Sequence, residues 1–109
     1  MPKLSEDYAD QIQVLKMAYS VTARQESYNE AAFGNGFLLL EGAKFELRFV
    51  RDRGQVFVDI RNVGREWVDA ETLLERCNLH PRPGERLTAN DILTAIGTYS
   101  LQLRSECSR

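Results

Sequence analysis

Three strand-like runs, 37–40, 44–50 and 55–61, follow one another with glycine-bearing turns between them, and the second and third alternate apolar with polar residues. A period of two marks strands whose two faces see different surroundings, so this stretch folds as a sheet with one apolar side. Glu41-Gly42 fits a two-residue hairpin turn, and the second turn falls around Arg51-Asp52-Arg53-Gly54. A slip of one residue would turn every side chain to the other face. An even-numbered second loop, with Gly54 in its strained position, sets Phe49 opposite Val56, Leu47 opposite Val58 and Phe45 opposite Ile60. The first turn sets Leu38 opposite Phe45 and Leu40 opposite Ala43. Leu38, Leu40, Phe45, Leu47, Phe49, Val56, Val58 and Ile60 then share one face, which has to be covered.

Helices supply the cover. Ser5 is placed to cap a helix over 6–24, with Glu6 and Asp7 in its first turn and Tyr8, Ile12, Leu15, Tyr19 and Thr22 at helical spacing. The stretch 25–32 reads equally as more helix, a second turn, or a loop into Gly34-Asn35-Gly36. Asp69 suits the N-cap of a short helix over 70–77, whose Leu73, Leu74 and Cys77 share a face before Asn78 at its C-terminus. His80-Pro81-Arg82-Pro83-Gly84 is a stiff connector, because neither proline fits a helix interior. Thr88 with Asp91 resembles a capping box, and Ala89, Ile92, Leu93, Ile96, Tyr99 and Leu103 recur at helical spacing beyond it. The fold class is α+β: a three-stranded antiparallel sheet packed by an N-terminal helix and two C-terminal helices, in the order α-β-β-β-α-α. No repeat or linker divides the 109 residues, so one domain spans 1–109.

Charge narrows the function. Fourteen Lys and Arg against sixteen Asp and Glu give a net charge of −2. Lys44, Arg48, Arg51, Arg53, Arg61 and Arg65 are interleaved with Phe45, Phe49 and Phe57, but Glu41, Glu46, Asp52 and Asp59 lie among them. No large positive field results, which argues against nucleic acid and leaves weak RNA binding as a third reading. The longest apolar stretch, 37–40, is far too short to span a bilayer. The N-terminal residues turn acidic where a secretory signal would be apolar, so a cytoplasmic location is expected, with Cys77 and Cys107 as free thiols.

Catalytic signatures are weak. The single histidine, His80, has no nucleophile motif beside it. Cys77 and His80 have the spacing of two metal ligands and Cys107 is a third candidate, but the spacing pair of a zinc site is not repeated, and no metal or cofactor is expected. Gly34-Asn35-Gly36 precedes a strand rather than a helix and lacks the rest of a phosphate-loop motif. Glu46 and Asp59 fall opposite each other on the outer sheet face, with Lys44, Arg48 and Arg61 beside them. That face reads as a solvated lattice of ion pairs, or, because Phe37, Leu39, Val50 and Phe57 share it, as the mixed surface of a protein interface. It is either open or covered by a third layer. Arg51, Asp52 and Arg53 project from the hairpin tip, and Trp67 either packs between strand and helix or anchors a partner.

Phe33-Gly34 leading into strands, then Phe49-Val50-Arg51-Asp52-Arg53-Gly54-Gln55-Val56-Phe57-Val58-Asp59-Ile60, Glu66-Trp67 and the Leu73-Leu74 helix, resemble small bacterial immunity proteins of polymorphic-toxin and contact-dependent growth-inhibition systems. The resemblance covers under half of the chain. It implies cytosolic binding to a cognate toxin domain, usually a nuclease or other enzyme neutralised by obstruction, and brings no catalytic residues. The expectation is therefore a non-enzymatic protein-binding domain using Glu46, Arg48, Asp52, Arg53, Phe57, Asp59, Arg61, Glu66 and Trp67. A small enzyme or ligand-binding domain with a pocket lined by Glu46, Asp59 and Tyr99 is the alternative. An exposed edge strand also offers a route to a homodimer.

Overall fold

The computed structural model describes residues 3–29, 31, 35–79 and 86–107, with side chains up to Leu101. Two short helices, α1 (Leu4–Asp7) and α2 (Ala9–Tyr19), open the chain. Five strands follow: β1 (Thr22–Asn29), β2 (Asn35–Glu41), β3 (Phe45–Asp52), β4 (Gln55–Asn62) and the two-residue β5 (Val68–Asp69). They form one antiparallel sheet in the order β1-β2-β3-β4-β5. Helices α3 (Ala70–Arg76) and α4 (Ala89–Cys107) complete it. The α+β class stands, but the sheet has five strands rather than three, and two helices rather than one precede it.

The N-terminal helix is corrected at both ends. Ser5 does not cap it; its amide and hydroxyl both donate to the Glu26 carboxylate. The helix stops at Tyr19 because Ser20 turns left-handed, φ 56° and ψ 34°, so the expected run to residue 24 becomes strand instead. Strand β1 escapes pattern reading because its residues are exposed on both faces, with only Tyr28 half-buried. Backbone pairing to β2 holds it, and that pairing needs Gly36: a Cβ there would overlap the Ser27 carbonyl.

The inner face is the one the alternation specifies. Leu38, Leu40, Leu47, Phe49, Val58 and Ile60 are buried, with Phe45 and Val56 packed against them. Leu4, Tyr8, Ile12 and Leu15 from the N-terminal helices, Leu73 and Leu74 from α3, and Ile92, Ala95, Ile96 and Tyr99 from α4 complete the same core. Tyr8 meets Phe49 edge-on at 5.3 Å. At the C-terminus of α3, Asn78 is left-handed at φ 59°, and the amides of Asn78 and Leu79 donate to the Glu75 and Leu74 carbonyls, a Schellman ending. Thr88 and Asp91 cap α4 reciprocally, each side chain accepting from the other's amide at 3.1 and 2.9 Å. Cys77 is exposed and free. The His80 connector, Phe33, Gly34 and the Cys107 side chain lie outside the described residues.

Register differs from the expectation by even steps. Strand β2 runs to Glu41, the turn moves to residues 42–44, and Leu38 faces Phe49 while Leu40 faces Leu47. In the second hairpin, Asp52 pairs with Gln55 across a two-residue turn, so Phe49 faces Val58 and Leu47 faces Ile60. Arg53 and Gly54 both have positive φ, 52° and 81°, as the type I′ hairpin requires. The shorter turn withdraws Arg51 from the tip: it falls on the inner face opposite Gly36 and Val56, is 3% exposed, and binds Asp7 at 2.7 Å.

A left-handed arginine costs about 1–2 kcal/mol, which Asn-Gly turns largely avoid. Arg53→Asn should therefore raise unfolding stability by about 1 kcal/mol in urea titration. No gain, or a loss, would show that the turn does not constrain β3 and β4 as described.

Candidate functional site

Strand parity puts Phe37, Leu39 and Glu41 of β2, Glu46, Arg48, Val50 and Asp52 of β3, Gln55, Phe57, Asp59 and Arg61 of β4, and Asp69 of β5 on the outer face. None of its apolar members belongs to the core cluster, so among the described residues no helix covers this side. Phe37, Val50 and Phe57 are direct cross-strand neighbours and form an apolar row across three strands, with Phe57 41% exposed.

Beside this row lies a charged cluster, whose pairing follows from the two-residue turn between β3 and β4. Glu46 faces Arg61 and Arg48 faces Asp59, so the expected like-charge pair of Glu46 and Asp59 is replaced by two opposite-charge pairs. Arg48 donates from Nε and Nη2 to one Asp59 oxygen at 3.2 and 2.8 Å. Arg61 Nε donates to Glu46 Oε1 at 3.1 Å, and Glu46 is 5% exposed. A carboxylate that buried needs such a partner. Glu41, which faces Glu46, turns the other way to Arg24 at 3.2 Å, and Arg24 stands at the bulge between Ala23 and Gln25.

Trp67 closes the cluster. The guanidinium carbons of Arg48 and Arg61 lie 4.4 and 4.3 Å from its ring centroid. Each contact adds roughly 0.5–2 kcal/mol, more than the exposed ion pairs alone contribute. The indole thus sits on the outer sheet face rather than between strand and helix, and it fixes two arginines that would otherwise sample many rotamers.

Of the expected residues, Glu46, Arg48, Asp59, Arg61 and Trp67 make one contiguous cluster, and Phe57 occupies the adjoining row. Asp52 and Arg53 are exposed at the opposite end of the strands, and Glu66 is exposed in the loop before Trp67. The pocket of Glu46, Asp59 and Tyr99 does not form: the two acids lie on the outer face, whereas Tyr99 is in the helix layer, its hydroxyl accepting from the Asn62 amide at 3.0 Å. Among the described residues no group of three His, Cys, Asp or Glu side chains could hold a metal, and no helix is long and apolar enough to cross a membrane.

Asp69 is the member that the sequence concealed. It pairs with Asp59 across β4 and β5, accepts from Thr72 Oγ1 at 3.4 Å, and leaves Oδ1 buried without a partner. Burial first, and the Asp59 charge second, raise its pKa above the usual carboxylate value. Only an Asp between Val68 and a helix start marks it, which reads as a cap.

No protein-family model, curated protein or solved structure matches this chain.

Because the folded state holds the Asp69 proton more tightly than the unfolded chain does, ionising Asp69 removes stability as pH rises from the unfolded value through the raised one. Asp69→Asn should be the more stable protein at pH 7 and lose that advantage below the ordinary carboxylate range. Chemical denaturation of both proteins at each pH checks this; equal stability at pH 7 would refute it.

Proposed function

We propose that this chain is a non-enzymatic protein-binding domain that docks through its open sheet face. The observation that carries the reading is the uncovered row of Phe37, Val50 and Phe57 beside a tryptophan held by two arginines. Interface centres are enriched in aromatic residues and arginine, while charges there are depleted or paired. Prior fixing of Arg48 and Arg61 lowers the ordering cost of association. In this reading Phe57 and Trp67 supply buried area, Arg48, Arg53 and Arg61 give directional polar contacts, and Glu46, Asp52, Asp59 and Glu66 meet partner cations.

The partner follows from the sequence resemblance: a cognate toxin domain, neutralised in the cytoplasm by obstruction of its active site or substrate path.

Affinity capture from the native host tests both parts. Combined Arg53→Ala and Phe57→Ala should weaken the captured complex at least about tenfold, as loss of interface anchors does, while the melting temperature stays nearly unchanged. The captured protein should be toxic when expressed alone and harmless beside this chain. Unaltered affinity would remove the docking face, and a harmless partner would remove the immunity role.

A further inference from the structure

The open face carries a pattern that fits its own copy. On β3, Arg48, Val50 and Asp52 project outward in succession, about 6.8 Å apart. On β4 the succession is Gln55, Phe57, Asp59, and on β2 it is Asn35, Phe37, Leu39. Phe37, Val50 and Phe57 are the middle members and lie in one row across the strands.

We propose that two copies of this chain pack these faces together about a two-fold axis running along the Phe37, Val50 and Phe57 row. The proposal rests on the reading of this face as an interface and adds what occupies it when no other partner is bound. Such an axis exchanges the residues on either side of the row. Val50 and both phenylalanines then meet their own counterparts, which closes the apolar strip. Arg48 lies against Asp52 of the second copy, twice over by symmetry. Asp59 lies against the Gln55 amide of the second copy, and Leu39 against its Asn35. Among the facing strand residues no like charges are set directly against each other, as a self-complementary interface requires. The protruding Trp67 end of one copy falls beside the Arg53-Gly54 turn of the other, where Gly54 leaves room. The exposed tip and the tryptophan cluster, separate within one chain, become one surface.

Size sets the strength. Strands of seven or eight residues in β1 to β4 give a face of roughly 500 Å² per copy, so a pair removes on the order of 1,000 Å² of surface. That is the low end for specific complexes, and corresponds to a dissociation constant on the order of 10–100 µM. The β1 edge is a poorer route to a dimer, because its bulge and its charged Arg24 and Glu26 are devices that protect free edges.

Sedimentation velocity on the full chain over roughly 1 µM to 1 mM should show a monomer converting to a dimer across that range. Asp52→Arg, at an exposed position, should abolish the dimer by setting arginine against Arg48, whereas Asp52→Glu, which keeps the charge, should retain it. In a Cys77→Ser and Cys107→Ser background, Val50→Cys should be joined into covalent pairs by a short bis-maleimide linker. Circular dichroism confirms folding of each variant. A chain that stays monomeric to 1 mM overturns the proposal, as does a dimer that tolerates Asp52→Arg and resists linking at residue 50. If the chain is monomeric yet Phe57→Ala still loses a captured partner, the dimer fails and the docking face survives; a dimer with no captured partner does the reverse.

Discussion

The two-residue turn at Arg53-Gly54 sets which residues of β3 and β4 stand opposite, and with them the chemistry of both faces. On the outer side it places Glu46 against Arg61 and Arg48 against Asp59, so the facing acids of the neighbouring register are replaced by two opposite-charge pairs. On the inner side the same choice buries Arg51, and a buried guanidinium is tolerable only with a carboxylate beside it. Asp7 supplies that carboxylate and also accepts from Arg86 at 3.1 Å, so the first helix, the third strand and the segment before α4 meet at one anion. Reversing the cost of a strained arginine in the turn by any longer loop would disturb both arrangements together.

Trp67 has a different kind of effect. Ion pairs at a half-exposed sheet face contribute little stability because water competes for them. An indole against both guanidiniums keeps that water from part of their surface and restricts their motion. The result is a cluster held in place by the chain's own contacts. Asp69 stands at its margin as a local cost: a carboxylate oxygen buried without a hydrogen bond, opposite another acid. Such a cost is retained in a fold only where other contacts outweigh it, and α3, which begins right after Asp69, carries those contacts through Leu73 and Leu74.

Much of this was legible from alternation alone. The eight residues assigned to the apolar face all lie on it, because parity depends only on the period of two and survives any even slip. The cross-strand partners were not legible to the same degree: slips of two or four residues keep every side chain on its face, so hydrophobic pattern could not separate them. The two-residue turn at Arg53-Gly54, where among the described residues consecutive positive φ angles occur, decides between them. Strand β1 left no pattern because neither of its faces is buried, and β5 is too short for any. The helix caps at Asn78 and at Thr88 with Asp91 were readable because they rest on contacts within a few residues. Of the site, the charged residues and Phe57 were found by composition; their grouping around Trp67 was not, since it depends on a loop folding back across the sheet.

The division between odd and even positions along β3 has a wider meaning. Phe45, Leu47, Phe49 and Arg51 answer to the helices, while Glu46, Arg48, Val50 and Asp52 answer to whatever lies outside. Two sets of demands are thereby written into one stretch of chain without interfering. Such a scaffold can change its outer surface residue by residue across generations, and its hidden half need never be rewritten.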